Sequence, residues 1–419
     1  MNRRPQIEGS LFGGDNSSDF KVDVDSYISD GRFFTEAINQ SKRLPTNYVG
    51  NKKRIVIEIM RFLQQEKVEF ENVFDAFSGS GVVSVFMALL KKRVTSNDLL
   101  TSSALQISCL LEGKASPLSQ SEWYAILDRV PKRDYAHFSK ENYLVKPKLF
   151  TPDEADFLDR YRANVADLFG DTFWCGQPFN GGYNLITYAD RKPLDVAEVI
   201  RGHPKANYAL YAMLKHLNDV CFVGGRFYSG QTLAQLEHRL DHSRNHGHEL
   251  HKTFLKTVKK LWFPRIEYPA GGGFSLFNSD IMELLKSGAL PVGGDLLYLD
   301  PPYGGDSSDY ASLYRYLEEF VHGKKLEDPS LQVVKTAGDR FKEKNGYDEQ
   351  FSELLALCGH YKHWLISFNA SSFSGLEGIT EIIKRFRSQV VVYEVPIKYK
   401  YREERKLSTD REYLLLART

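Results

Sequence analysis

The sequence predicts a doubly wound α/β domain interrupted by a long, mostly helical insertion. Three observations carry this prediction. A strand, a glycine-rich turn, a helix and a second strand follow one another between residues 73 and 98, which is half of a doubly wound sheet. That pattern stops near residue 110 and is replaced by mostly helical sequence. Strand patterns return after Gly271-Gly272-Gly273 and continue to residue 416.

Length and composition are those of a folded protein with two or three domains. Of the 419 residues, 42% are hydrophobic and 26% charged, which argues against disorder, a collagen-like repeat or a coiled-coil rod. No stretch approaches the roughly eighteen consecutive apolar residues of a membrane helix. The basic start lacks the apolar core of a secretory signal, and the four cysteines form no disulfide pattern. We therefore expect a cytoplasmic protein that does not associate with membranes.

The chain divides into three regions. Residues 1–40 are rich in glycine, serine, aspartate and asparagine, and we expect a mobile N-terminal extension there. Residues 41–110 and 271–419 together carry the predicted sheet. Residues 111–270 form the insertion between its two parts.

The elements of the sheet region are predicted in order. After a loop at residues 44–52, apolar residues at helical spacing predict a helix with Ile55, Ile59 and Phe62 on one face. A second helix, Val82 to Lys91, follows the glycine-rich turn. Apolar runs predict seven strands: Val73 to Phe77, Val94 to Asp98, Phe274 to Asn278, Leu296 to Leu299, His363 to Phe368, Val390 to Val395 and Tyr413 to Leu416.

The net charge of +1 hides a basic segment. Between Arg191 and Arg265, thirteen Lys or Arg stand against six Asp or Glu, together with seven of the eleven histidines. From Lys384 onward, ten basic residues stand against five acidic ones. Segregation of this kind suggests a bound polyanion, although basic faces also occur in proteins that do not bind nucleic acid.

Histidines in the basic segment allow a second interpretation. His238 and His242 are four residues apart, with His246, His248 and His251 close behind, and such spacing can bind zinc. The stretch lacks cysteine and is rich in Arg and Glu, which favours a solvated or phosphate-facing helix. We therefore expect no metal site.

A glycine-rich turn at residues 75–81, Asp-Ala-Phe-Ser-Gly-Ser-Gly, lies between a strand and a helix. Glycines there permit a sharp turn and the close approach of a ligand to the helix N-terminus. Ser84 stands where a dinucleotide fingerprint has its third glycine, and no P-loop lysine follows, so a nucleoside cofactor without a pyrophosphate fits better. Asp98 ends the next strand and is placed to accept a hydrogen bond from a ribose hydroxyl. The alternative is a tight turn beside a surface carboxylate.

The second motif is Asp300-Pro301-Pro302-Tyr303, which follows the apolar run Leu296 to Leu299. Two prolines constrain the turn after a buried strand and donate no backbone hydrogen bonds. The Asp300 carboxylate and the Pro301 carbonyl are therefore expected to act as two acceptors beside an aromatic ring. This arrangement suits a planar ring that carries an exocyclic amino group. A rigid proline turn without a ligand is the alternative.

Together the two motifs resemble those of the amino-group DNA methyltransferases that use S-adenosylmethionine. Tyr48-Val49-Gly50-Asn51-Lys52 resembles the Y/W-x-G-x-K loop that opens the Dam-like (D12 class) adenine-N6 enzymes. The order of loop, glycine motif, long insertion and Asp-Pro-Pro-Tyr is that of their α group. The resemblance implies a Rossmann-like methyltransferase sheet, with a target-recognition domain at residues 111–270 and the catalytic domain at residues 41–110 and 271–419.

The resemblance also implies roles for individual residues. It implies that Asp300 to Tyr303 hold a target base flipped out of the duplex. It implies that S-adenosylmethionine is bound by eight residues, with Tyr48 and Lys52 on its methionine and adenine side, Asp98 at the ribose and Asp280 near the adenine: Tyr48, Lys52, Asp75, Phe77, Gly79, Gly81, Asp98 and Asp280.

The chemistry follows from these expected roles. The lone pair of adenine N6 is delocalised into the ring, and hydrogen bonds from N6–H to Asp300 and to the Pro301 carbonyl favour its localisation toward the methyl group. Direct transfer needs neither a covalent enzyme intermediate nor a metal. The expected partners are double-stranded DNA and a separately encoded restriction endonuclease.

Four other functions remain open from the sequence. RNA and protein-glutamine methyltransferases also present a Pro-Pro-aromatic turn, but they usually carry Asn at the first position and lack the loop at residues 48–52. Cytosine-N4 enzymes more often carry Ser at the first position of this turn, whereas this chain has Asp300. A catalytically silent nucleic-acid-binding protein would not need Asp300 and Tyr303.

Overall fold

The structure is a computed structural model. It describes residues 31–44, 52–113, 118–128, 131, 137–169, 204–223, 226–228, 230, 232–242, 249–268, 273–290, 293–302, 304, 310–323, 325, 341, 344–370, 372–395 and 411–419.

A seven-stranded mixed sheet forms the centre of the described structure, in the order β5-β2-β1-β6-β7-β9-β8. Its strands are β1 Asn72–Asp75, β2 Arg93–Asp98, β5 Phe274–Asn278, β6 Gly294–Leu299, β7 Tyr361–Asn369, β8 Gln389–Glu394 and β9 Glu412–Arg418. β5, β2, β1, β6 and β7 are parallel, whereas β9 runs antiparallel to both β7 and β8. A separate two-stranded hairpin joins β3 Phe222–Val223 to β4 Arg226–Phe227.

Fifteen described α-helices accompany the strands. They are α1 Gly31–Ser41, α2 Val56–Gln65, α3 Val82–Leu89, α4 Thr101–Glu112, α5 Gln120–Asp128, α6 Phe138–Asn142, α7 Pro152–Phe169, α8 Pro204–Cys221, α9 Leu233–His242, α10 Leu250–Val258, α11 Ile281–Lys286, α12 Tyr310–Leu313, α13 Arg315–His322, α14 Tyr347–Leu357 and α15 Gly375–Lys384. Among them, none is long and apolar enough to cross a membrane.

Helices cover both faces of the sheet and bury an apolar core on each. One core joins α2, α3 and α4 to helices that follow β2, and includes Phe86, Leu105, Leu210 and Phe254. The other joins α11, α14 and α15, and includes Phe351. Apart from α9, the described helices between β2 and β5 therefore share one continuous core with the sheet. Their assignment to a separate recognition domain stays a prediction.

Each of the seven predicted strands has a counterpart in the sheet, so the α/β class is confirmed. The last ten residues of the predicted N-terminal extension are helical in the structure, because α1 begins at Gly31. Ala37 and Gln40 of α1 are buried, and the Gln40 side chain accepts a hydrogen bond from the Arg265 backbone at 2.7 Å. Residues 1–30 lie outside the described residues.

The strand order places a topological switch point between β1 and β6. From β1 the chain moves through β2 to β5 on one side, and from β6 to β7 on the other. Loops that leave such a pair turn away from each other and open a crevice at the carboxyl ends of the strands, where ligands of doubly wound proteins bind. Both sequence motifs begin at this point.

Candidate active site

Two acidic motif residues meet at the switch point. Asp75 is the last residue of β1 and pairs in register with Tyr298 of the neighbouring β6, while Asp300 follows the end of β6. Asp98 ends β2, on the other side of β1. Parallel strands bring their carboxyl ends to one edge, so the structure gathers these three predicted site residues along that edge.

The glycine-rich turn makes a tight connection from β1 to α3. Gly79 and Gly81 both have left-handed backbone conformations, with φ of 51° and 78°, which favour glycine. A Cβ atom at Gly81 would lie 2.8 Å from the Ile107 side chain on α4. The turn therefore requires glycine at position 81 for its backbone conformation and for its close packing.

Asp98 is held by the backbone of two loops. Its two carboxylate oxygens accept hydrogen bonds from Gly79 N–H at 2.7 Å and Leu100 N–H at 2.9 Å. Burial raises the pKa of Asp98 to about 7, although both hydrogen bonds oppose the shift. These two hydrogen bonds fix the orientation of the carboxyl group, and its predicted contact with a ribose remains a prediction.

Asp75 lies in a small polar cluster under the turn. The Ser84 hydroxyl is 2.6 Å from Asp75 Oδ2 and 2.7 Å from the Ser96 hydroxyl. Burial raises the pKa of Asp75 to about 7, with the Ser84 hydrogen bond opposing and the charge of Asp300 adding to the shift. Ser84, which replaces the third fingerprint glycine, therefore holds the carboxyl group of β1.

Asn278 at the end of β5 joins the same edge. Its side-chain amide donates to the carbonyls of Asp98 and Leu99 at 2.9 Å, and its side-chain oxygen accepts from the Thr101 hydroxyl at 2.9 Å. Glu318, fully buried on α13, accepts from the backbone N–H groups of Thr101 and Ser102 at the start of α4. The loop after β2 is thereby locked between two neighbouring elements.

The turn after β6 is supported by α14 and by Phe373. The Tyr347 hydroxyl on α14 donates to the Pro302 carbonyl at 3.1 Å. Gly304 has a φ of +95°, and a Cβ there would overlap the Phe373 ring. Tyr303 lies outside the described residues.

Lys52 reaches Asp300 from the segment before α2. Its Nζ is 3.1 Å from Asp300 Oδ1 and 3.6 Å from Glu412 Oε2 at the start of β9. Burial alone would lower the pKa of Lys52, but the charges of Asp300 and Glu412 outweigh it and raise this pKa above its ordinary value. The described contacts of Nζ are thus with acidic side chains, and the predicted cofactor contact remains a prediction. Tyr48 lies outside the described residues.

Phe77 and Asp280 complete the predicted set. Phe77 is partly buried and its ring meets Phe341 edge to face, with centroids 6.1 Å apart. Asp280 is the N-cap of α11, and its Oδ1 accepts from the backbone N–H groups of Met282 and Glu283. The structure shows a capping role for Asp280, and its predicted contact with a cofactor adenine remains a prediction.

Sequence reasoning missed Glu412, Tyr310 and Tyr347. Glu412 reaches the site only because β9 runs antiparallel and begins at the edge where the parallel strands end. Tyr310 at the start of α12 lies close enough to Asp300 for its charge to reinforce the burial that raises the pKa of Tyr310. The available signals were an acid directly before the last apolar run and the tyrosines that follow Asp-Pro-Pro-Tyr.

The basic segment presents an exposed surface on and after α10. Five basic side chains of this segment are exposed: Lys252, Lys256, Lys259, Lys260 and Arg265. Of the histidines considered as zinc ligands, His246 and His248 lie outside the described residues. Across the described part of the chain, no three His, Cys, Asp or Glu side chains are grouped so that they could hold a metal ion.

Comparison with known proteins identifies the class of enzyme to which this fold and these motifs correspond. Residues 48–166 match the model of the D12 class N6 adenine-specific DNA methyltransferases. The resemblance seen in the motifs is thereby confirmed, and the chain is an adenine-specific DNA methyltransferase. Such an enzyme needs a methyl donor and a DNA substrate.

Two named proteins are similar over nearly the whole chain. The Type II methyltransferase M2.HphI of Haemophilus parahaemolyticus is 25% identical over 381 residues, which cover 90% of this chain and 99% of that protein. Modification methylase StsI of Streptococcus sanguinis is 23% identical over 375 residues, covering 87% of this chain but only 50% of that protein.

Proposed function

We propose that this chain is a site-specific enzyme that transfers a methyl group from S-adenosylmethionine to N6 of an adenine flipped out of double-stranded DNA. The observation that carries the proposal is the position of Asp300 and Pro301 at the switch point, beside the Asp98-anchored glycine turn. A base-binding turn and a nucleoside-binding turn then face one crevice.

The acidic groups of this edge fit S-adenosylmethionine. The cofactor carries a ribose diol, which requires an acceptor at the end of β2, and a cationic sulfonium, which favours nearby carboxylates. Asp98 is oriented by two backbone N–H groups, and Asp75 lies behind the turn. We assign the cofactor to residues Tyr48, Lys52, Asp75, Phe77, Gly79, Gly81, Asp98 and Asp280. When bound, the cofactor supplies an electrophilic methyl group.

Asp300 and Pro301 orient the nucleophile. Each accepts one hydrogen bond from the adenine amino group, which directs the N6 lone pair out of the ring plane. With the cofactor held by the residues named above, Asp300 and Pro301 would direct N6 at the methyl group, so that the N6–C bond would form as the methyl–sulfur bond breaks and the electron pair of that bond would remain on sulfur. N6 then carries an extra proton, which passes to the Asp300 carboxylate and on to water.

The target base has to leave the duplex because N6 is otherwise paired and stacked. Tyr303 is assigned to stack on the flipped base. The exposed basic surface after α10 is assigned to the DNA backbone, because Lys and Arg contacts to phosphate give register without reading sequence.

We also propose that the enzyme is the modification half of a restriction-modification system with a separately encoded endonuclease. The support is the naming of its relatives, one as a Type II methyltransferase and the other as a modification methylase.

Methyl transfer from labelled S-adenosylmethionine to duplex DNA, RNA and protein, run side by side, tests the proposal. Label should enter DNA, and digestion to nucleosides followed by mass measurement should identify N6-methyladenine. Labelling of RNA or protein alone would contradict the substrate assignment. N4-methylcytosine as the sole product would contradict the base assignment.

A further inference from the structure

Glu412 is brought to the active-site edge by the direction of β9. It is the first residue of that strand and pairs in register with Asn369, the last residue of β7. β7 lies next to β6, whose end leads into Asp300. Glu412 and Asp300 are therefore separated by the width of β7, and neither belongs to the other's motif.

Lys52 bridges this separation. Its ammonium lies 3.1 Å from Asp300 and 3.6 Å from Glu412. The Lys52 side chain is only 6% exposed, and the two carboxylates are 16% and 13% exposed. Little solvent therefore screens the three charges from one another.

One ammonium thus faces two carboxylates. When a buried Lys has a single acidic partner, another hydrogen-bond donor has to displace the ammonium to reach the carboxylate. When the ammonium is shared between two carboxylates, it occupies each of them less completely. Burial raises the pKa of Glu412 and the charge of Asp300 adds to the shift, whereas Lys52 and a hydrogen bond with Asn369 oppose it. Tyr310 lies close enough for its charge to interact with all three groups.

We propose that Glu412 is a positioning residue for methyl transfer, which holds the Lys52 ammonium between the two acids so that Asp300 can accept the hydrogen bond of the target amine. This inference rests on the proposed function. Glu412 acts through Lys52 and does not itself touch the base.

A purely structural role for Glu412 makes a different prediction. The β7–β9 ladder pairs seven residues of each strand, and its backbone bonds do not need the charge of Glu412. If Glu412 only secured the start of β9, removing its charge would lower the melting temperature and leave the pH dependence of catalysis unchanged.

The test compares Glu412→Gln, Glu412→Asp and the matched control Glu394→Gln. Glu394 lies on the neighbouring β8, pairs with Arg411 at the surface and is 55% exposed. For each protein the single-turnover rate of methyl transfer is measured from pH 5 to 9 with saturating S-adenosylmethionine and duplex DNA. Cofactor affinity and melting temperature are measured in parallel.

We expect Glu412→Gln to slow methyl transfer about tenfold or more, a loss typical of a misplaced catalytic group. We expect the acid limb of its rate profile to move to lower pH, because one negative charge fewer lies beside Asp300. The melting temperature should match the control, and Glu412→Asp should recover part of the rate.

Two results would overturn the inference while leaving the proposed function in place. One is a wild-type rate in Glu412→Gln. The other is a slow variant with an unchanged acid limb and a lowered melting temperature. A wild-type enzyme that transfers no methyl group to DNA would instead overturn the proposed function, and the inference with it.

Discussion

Asp300 lies in an environment that serves two tasks. In the proposed mechanism it must stay ionised to accept from an amino group and take up a proton, and it must be held still while doing so. The Lys52 ammonium lies 3.1 Å from the Asp300 carboxylate. It stabilises the negative charge of the carboxylate and holds the group in place. Pro301 is buried and Tyr347 holds the next carbonyl, so the turn that carries Asp300 has few ways to move.

Asp300→Asn should reduce methyl transfer by a factor of 100 or more while leaving cofactor and DNA binding within about threefold of wild type. The amide preserves shape but loses the charge and the ability to take the proton, and one preorganised hydrogen bond in a transition state is worth about 3 kcal/mol. Single-turnover rates and binding titrations would measure this. A variant that keeps a tenth of the rate would refute the assignment of Asp300.

Asp75→Asn should flatten the pH dependence of stability. The folded-state pKa of Asp75 is raised to about 7, so the folded protein keeps this proton between about pH 4 and 7 where the unfolded chain loses it. Stability therefore falls as pH rises through that window, by up to about 4 kcal/mol for this group. Urea unfolding of the cofactor-free protein at pH 5 and pH 8 would measure the change.

In that experiment Asp75→Asn retains an acceptor for Ser84 and should be more stable than wild type at pH 8. Asp156→Asn, on α7, is the control for removing one negative charge. An equal loss of stability from pH 5 to pH 8 in wild type and Asp75→Asn would contradict the prediction.

At the scale of elements, the two sequence motifs were found because each is local. Asp75 to Gly81 and Asp300 to Tyr303 are contiguous, and each follows an apolar run that becomes a strand. Glu412 and Glu318 were not found because their contacts are made across the sheet and between helices. Sequence periodicity gives the type of an element, but it does not specify which strand lies beside which.

Asp280 allows capping to be separated from cofactor binding. Asp280→Ala should cost about 1 kcal/mol of stability, the usual loss when an N-cap is removed, and Asp280→Ser should restore most of it. If the carboxylate also contacts the cofactor adenine, both variants should bind S-adenosylmethionine more weakly. Denaturant unfolding and calorimetric titration are the two measurements. Wild-type affinity in Asp280→Ser would assign Asp280 to capping alone.

At the scale of the whole molecule, the described helices between β2 and β5, apart from α9, share their apolar core with the sheet. DNA held by this region would therefore be held in a defined position relative to Asp300. The sequence predicted the interruption through a change in pattern. It did not predict the shared core, because burial on one face of a helix does not identify the surface that covers it.

Replacing Lys256, Lys259 and Lys260 together with Gln should weaken DNA binding and reduce the slope of log K against log salt by about 2 to 3, since each phosphate contact contributes about 0.9. The control replaces Lys286, Lys384 and Arg385, exposed at the far ends of α11 and α15. Binding at several salt concentrations would measure both slopes. Equal slopes in the two triple variants would place the DNA surface elsewhere.

The position of β9 has a consequence for how the enzyme is made. β9 lies between β7 and β8 in the sheet but follows both in the chain. While the ribosome is still adding residues 396–411, the position between β7 and β8 is therefore empty. Glu412 and the strand behind it arrive together. A nascent chain that already contains both motifs therefore still lacks the strand that pairs with both β7 and β8, and the seven-stranded sheet can be completed only after residue 418 has been added.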